Sequence, residues 1–125
     1  MTESFIKEWL HNHSIWNYHI KEINGELVCN VNTDIDFTYS ILNESEFPFK
    51  FGHITGDFLL PHKPLKSFKN FPDLVDGDLD ITEISIRSLD DLNTIVKGDL
   101  ICEDEWKEQV DYKQWMIQHL LRKNS

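Results

Sequence analysis

Three rhythms of apolar and polar residues follow one another along this chain. Between Thr2 and Ser14 the apolar residues are Phe5, Ile6, Trp9 and Leu10, a spacing that places them on one helical face, and Thr2 can cap the first turn. Next, Tyr18-His19-Ile20 and Leu27-Val28-Cys29 flank Asn24-Gly25. Asn-Gly between short apolar runs is the strongest local signal for a two-residue hairpin. The third rhythm is a long one. Gly56-Asp57-Phe58, Gly77-Asp78-Leu79 and Gly98-Asp99-Leu100 recur every 21 residues. Leu65 and Ile86, Ser67 and Ser88, Phe68 and Leu89, Phe71 and Leu92, and Leu74-Val75 and Ile95-Val96 keep the same register.

A unit this short cannot bury its own apolar face, so neighbouring units must stack. Its length falls in the range of leucine-rich repeats, which contribute one short strand and a return segment per turn. The strand is read as Gly-Asp-Leu-Asp-Ile. Alternation then puts Phe58 and Leu60, Leu79 and Ile81, Leu100 and Cys102 in the core, with Asp57, Asp78 and Asp99 on the other face. An imperfect unit precedes these. Thr33 to Phe37 resembles the strand and Phe47 to Thr55 the return path, with two residues inserted between Tyr39 and Glu46. The tail is rich in helix formers, with a stripe of Trp106, Val110, Ile117, Leu120 and Leu121.

The expected fold is therefore an α/β repeat: a short leucine-rich-repeat solenoid with parallel strands, an opening hairpin, and N- and C-terminal capping helices. A single domain is expected. Residues 1–16 form the N-terminal cap helix, 17–37 the hairpin and first strand, 38–102 the repeats of about 21 residues, and 103–125 the C-terminal cap helix.

Charge narrows the partners. Twenty-two acidic and twelve basic residues leave −10, which opposes direct contact with nucleic-acid phosphates or anionic membranes. With two cysteines, no secretory signal at the start and no apolar run near ~18 residues, a reduced cytoplasmic setting is expected, with both thiols free.

The leading candidate surface is the column Asp57, Asp78 and Asp99, extended by Asp34, beside a second column of Asp36, Leu59, Asp80 and Ile101. Parallel strands lie ~4.8 Å apart, so stacked carboxylates repel by roughly 1 kcal/mol even in water. Two readings stand side by side: a docking face for Lys and Arg, or Asp side chains that cap the glycine turns. Calcium fits poorly, since calcium-binding rolls carry a different nonapeptide signature. His11-Asn12-His13 does not suggest a metal, because helical residues two apart point away from each other. Cys102 reads as a small core hydrophobe. No Walker loop, Gly-x-Ser-x-Gly, Cys-x-x-Cys or dinucleotide fingerprint is present, so neither catalysis nor a cofactor is expected. Trp9 belongs to the helix stripe, whereas Trp16, Trp106 and Trp115 are candidate anchors; Trp115, off the stripe of its helix, is preferred.

Several runs resemble the small leucine-rich-repeat proteins of tailed, myovirus-type bacteriophages. They are Asn17-Tyr18-His19-Ile20, Asn24-Gly25, Phe49-Lys50-Phe51-Gly52-His53-Ile54-Thr55-Gly56-Asp57-Phe58, and Leu65-Lys66-Ser67-Phe68 leading to Pro72 and Val75-Asp76-Gly77-Asp78. The likeness covers most of residues 17–102 and departs in two places. Pro61-His62-Lys63 and Thr82-Glu83 replace the family's usual ladder Asn, and Asn93 stands where Pro is preferred. The resemblance implies a phage-encoded accessory protein acting in the cytoplasm of an infected bacterium. The expected function is a non-catalytic protein-protein interaction module that binds a basic surface on a host or phage protein through its acidic strand face. The alternative is an acidic DNA-mimic inhibitor of a host nucleic-acid-binding or defence enzyme; a small enzyme and a purely structural role rank below these.

Overall fold

The computed structural model describes residues 1–86, 88–106, 108 and 114. Its first element, α1 (Glu3–Asn12), begins where Thr2 Oγ1 accepts the Phe5 N–H at 3.2 Å. Ile6, Trp9 and Leu10 are buried, while Phe5, the fourth member of the expected stripe, stays 44% exposed. Trp9 meets Phe47, Phe49 and Phe51 edge to face, with the Phe49 centroid 5.2 Å away. Such geometry adds to the gain from burying large rings.

The hairpin is present. β1 (Tyr18–Ile23) and β2 (Glu26–Val31) pair antiparallel from Tyr18 opposite Val31 to Ile23 opposite Glu26. Asn24 and Gly25 take φ of 52° and 81°, the left-handed turn that these two residue types tolerate best.

From here the chain coils. Among the described residues the remaining strands are β3 (Ile35–Asp36), β4 (Lys50–Ile54), β5 (Phe58–Leu59), β6 (Leu74–Val75), β7 (Leu79–Asp80), β8 (Ile95–Val96) and β9 (Leu100–Ile101). They form two sheets, ordered β1-β2-β4-β6-β8 and β3-β5-β7-β9, and every pairing except the hairpin is parallel. The molecule is a parallel-strand solenoid of about three turns.

One feature differs from the sequence reading. Each coil carries two strands, one on either side of the Gly-Asp corner, and Leu74-Val75 and Ile95-Val96 form strands of the first sheet. The register 74 to 95 and 75 to 96 is set by stacking between coils, a non-local contact that a two-residue segment cannot announce by alternation.

Between the sheets lies a core rich in Phe. Phe47, Phe51 and Phe58 are fully buried, with Phe71 packed beside Phe47 and Phe58. Leu60, Leu79, Ile81, Val75 and Val96 continue it coil by coil. Leu100 and Cys102, expected in the core, are only half-buried, because no further coil covers them among the described residues. Most of the helix expected over 103–125, and its Trp115, lie outside the described residues.

Candidate functional site

The Gly-Asp corner repeats one local geometry. Asp34 Oδ1 accepts the Asp57 N–H at 2.7 Å, Asp57 Oδ1 that of Asp78 at 2.8 Å, and Asp78 Oδ1 that of Asp99 at 2.8 Å. Glycine is needed for a steric reason. A Cβ at Gly56, Gly77 or Gly98 would lie 2.1, 2.0 or 2.4 Å from the carboxylate oxygen of the preceding coil. The φ of these glycines is not positive, so the requirement is space and not backbone conformation. A fourth rung sits in the first sheet, where Asn30 Oδ1 accepts the His53 N–H at 2.8 Å and a Cβ on Gly52 would lie 2.3 Å from it.

The first acidic column is thus a side-chain-to-backbone ladder that joins the coils. Asp57 and Asp78 are half-buried, whereas Asp34 and Asp99 are exposed. The second column is set by register: Asp36 lies opposite Leu59, Leu59 opposite Asp80, and Asp80 opposite Ile101. Their chain neighbours Ile35, Phe58, Leu60, Leu79 and Ile81 are buried, so these four occupy the outward face of the second sheet. Ile101 is 40% exposed.

Bends after these strands use local devices in place of the ladder Asn that the resemblance implied. Asp36 Oδ1 accepts the Thr38 N–H at 2.8 Å and Asp80 Oδ1 that of Thr82 at 2.9 Å, each an Asx turn. His62 and Glu83, one coil apart, take φ of 58° and 51°, and their side chains pair at 2.8 Å.

The two-residue insertion has a consequence that its sequence did not signal. Tyr39 is 98% and Ile41 77% exposed, while Leu42 between Ile41 and the core is buried. The loop is held at both ends. Lys63 Nζ donates to Ser40 O at 2.6 Å, and Trp9 Nε1 donates to Glu44 Oε1 at 3.1 Å.

Outside the second sheet, His53 Nε2 lies 2.9 Å from Asp76 Oδ2, at ion-pair distance but outside hydrogen-bond alignment, and Lys97 Nζ lies 3.5 Å from Asp76 Oδ1. The His53 ring, with Lys97 adding less, holds the Asp76 carboxyl below its usual range. His11 and His13 face different neighbours. His11 stacks on the exposed Trp16 at 4.4 Å and reaches Tyr18 Oη at 2.8 Å, whereas His13 packs 4.1 Å from Trp9. Burial lowers the His13 pKa, and the nearby Glu44 opposes that shift only in part. Burial pushes the Cys29 thiol up to about 12. Among the described residues no cluster of His, Cys, Asp and Glu could hold a metal ion, and no helix is long and apolar enough to cross a membrane.

Gln114 is a residue that sequence reading missed. Its side-chain Oε1 accepts the Val96 N–H at 3.3 Å and its Nε2 donates to Thr94 O at 3.1 Å. One amide thereby takes the place of a further strand along the edge of β8. Nothing in a tail of good helix formers distinguishes this glutamine beforehand. The chain matches no protein-family model, no curated protein and no solved structure.

Proposed function

We propose that this chain is a non-catalytic protein-interaction module of the phage leucine-rich-repeat kind, working in the bacterial cytoplasm, which engages a basic protein surface through the outward face of its second sheet. The observation that carries this reading is the register-locked row Asp36, Leu59, Asp80 and Ile101, in which carboxylate and aliphatic side chains alternate from coil to coil. Such a row offers Lys and Arg heads a charge and their methylene stems an apolar rest. Three residues beyond Asp36 in the chain, on the pinned loop, Tyr39 is almost fully exposed and is of a residue type enriched among interface anchors. The overall charge of −10 adds long-range steering of a basic partner.

The test uses charge without disturbing the turns. Immobilised wild-type chain is exposed to lysate of phage-infected bacteria and eluted with a salt gradient, in parallel with an Asp36→Asn/Asp80→Asn variant. Asparagine still accepts the Thr38 and Thr82 amides, so the turns remain. The reading expects a protein with a basic surface that the variant retains at least about five-fold less well, with the difference vanishing at high salt. Equal retention by both chains rejects the acidic face. A retained nucleic-acid-binding enzyme that free DNA displaces would favour the DNA-mimic alternative.

A further inference from the structure

The row on the outward face of the second sheet has a pitch as well as a composition. Asp36, Leu59, Asp80 and Ile101 come from β3, β5, β7 and β9, which pair in parallel in one continuous register. Strands in a sheet lie ~4.8 Å apart, so the four side chains stand at about 0, 4.8, 9.6 and 14.4 Å along the solenoid axis. Charge and apolar character therefore alternate with a full repeat of ~9.6 Å. All four can be reached: Asp36 and Ile101 are exposed, Leu59 and Asp80 half-buried. The two carboxyls are also held in orientation, because Oδ1 of Asp36 and of Asp80 accepts an N–H of its own turn, from Thr38 and Thr82.

The flanks of the row differ. Along one side runs the corner column Asp34, Asp57, Asp78 and Asp99, two residues earlier in each coil. Along the other the chain turns through Thr38, Pro61, Thr82 and Glu103, of which only the last carries charge.

Two backbone forms could lie along such a row, and their repeats differ. In an extended segment the side chains of one face recur every ~6.6 Å, so a second side chain placed after one over Asp36 falls between Leu59 and Asp80. In an α-helix the positions i, i+3, i+7 and i+10 project from one side at about 0, 4.5, 10.5 and 15 Å. Each comes within about 1 Å of a rung, a mismatch that long side chains absorb.

We infer that the basic partner presents an amphipathic α-helix laid along the solenoid axis, with Lys or Arg seven residues apart over Asp36 and Asp80 and apolar residues over Leu59 and Ile101. Further Lys or Arg fall on the flank that faces the corner column, and uncharged residues on the other. This rests on the acidic-face reading and adds to it the backbone form of the occupant.

The probe is a synthetic peptide, Ala-Lys-Ala-Ala-Leu-Lys-Ala-Gln-Lys-Ala-Ala-Leu-Lys-Ala-Gln-Ala, which gathers Lys and Leu on one side of a helix at this spacing. Its isomer, Ala-Gln-Ala-Lys-Ala-Leu-Ala-Lys-Ala-Lys-Ala-Leu-Ala-Lys-Ala-Gln, has the same composition and charge but gathers them on one face only when extended. Each is titrated into the full-length, isotopically labelled chain while backbone amide resonances are followed. The helical peptide should give saturable shifts centred on Asp36, Leu59, Asp80 and Ile101 and gain helicity by circular dichroism. The isomer should bind at least about ten-fold more weakly. An Asp36→Asn/Asp80→Asn chain should bind the helical peptide at least about five-fold more weakly, and Gln in place of both Leu should cost about three-fold. Equal affinity for the two peptides, both weakened by the Asn chain, would overturn the helix while the acidic face stood. Affinity unchanged in the Asn chain would overturn the acidic face and the helix with it. Shifts centred away from the row, or none at millimolar helical peptide, would also overturn the inference.

Discussion

Replacing Gly77 by alanine isolates the physics of the corner. A Cβ there would lie 2.0 Å from Asp57 Oδ1 and 2.9 Å from the carbonyl carbon and oxygen of Gly56. The carboxylate must swing away, and the Asp78 N–H that it holds at 2.8 Å loses its acceptor in a half-buried site. Losing a hydrogen bond to a charged group costs about 1.5–3 kcal/mol. Against this, alanine lowers the entropy of the unfolded chain, a gain of about 0.4–1 kcal/mol wherever the native backbone suits it. Gly77 has no positive φ, so that gain applies in full. The crowded Gly56 backbone adds a further penalty, and the net destabilisation should be at least about 1.5 kcal/mol, a large fraction of the ~5–15 kcal/mol typical of a domain.

Urea unfolding at 25 °C of wild type, Gly77→Ala, Asp57→Ala and the double variant measures this and assigns its cause. Once Asp57 is shortened the oxygen is gone and only the backbone crowding remains, so Gly77→Ala should cost clearly less in that background, a coupling of about 1 kcal/mol. Gly25→Ala is the contrasting control. It has open space but a φ of 81°, and its loss of about 1 kcal/mol would come from backbone strain alone. A Gly77→Ala protein as stable as wild type, or strict additivity with Asp57→Ala, would refute the steric account of the ladder.

Gln114→Ala should release both bonds to the β8 edge, lower stability by about 1–2 kcal/mol and speed hydrogen exchange at Val96, read by amide exchange; unchanged protection there would show that the amide is dispensable. His13 is held neutral by burial, so its folded pKa lies below the usual 6.5. Its contribution is complete above that value and is lost as pH falls toward the folded pKa, so the gap in stability between wild type and His13→Asn should narrow from pH 7.5 to pH 5. A gap that widens on acidification refutes this assignment. The Cys29 thiol, buried and pushed up to about 12, should resist a thiol-specific reagent in native protein at pH 8 and react within the time of unfolding once urea is added; prompt labelling of Cys29 in native protein would contradict its placement.

The solenoid was legible because its signal is repetition: a Gly-Asp pair with flanking apolar residues recurring every 21 positions leaves few alternatives to stacked coils. Thr2 and Asn24-Gly25 were legible because a cap and a left-handed turn are local events, decided by residues that touch one another along the chain. The second strand of each coil was not, since Leu74-Val75 becomes a strand only by lying between β4 and β8. Nor was the exposure of Tyr39 and Ile41. The insertion was visible, but which of its residues turn outward depends on Lys63 and Trp9 holding its two ends. At the acidic column, the sequence allowed both a turn cap and a docking face. The structure shows Asp34, Asp57 and Asp78 each accepting an N–H of the next coil, a link between coils and not a cap of their own turn, and it leaves in place the charge on which the docking reading depends.

That charge is not required by the ladder. Asn30 performs the same task with a neutral amide, accepting the His53 N–H at 2.8 Å over the Cβ-free Gly52. A neighbouring pair of carboxylates ~4.8 Å apart repels by roughly 1 kcal/mol in water. Converting Asp57 and Asp78 together to Asn would relieve three such contacts, with Asp34, between themselves and with Asp99. The same change exchanges two charge-assisted hydrogen bonds for neutral ones, each weaker by about 1 kcal/mol. These terms offset, so the double variant should match wild type in urea within about 1 kcal/mol while carrying two fewer negative charges. Retained stability with weakened salt-sensitive binding of a basic partner is the outcome expected if the fold needs only the oxygens and the interaction needs the charge. A loss of more than about 2 kcal/mol would mean that the carboxylates are themselves structural, and the acidic corner would then need no partner to explain it.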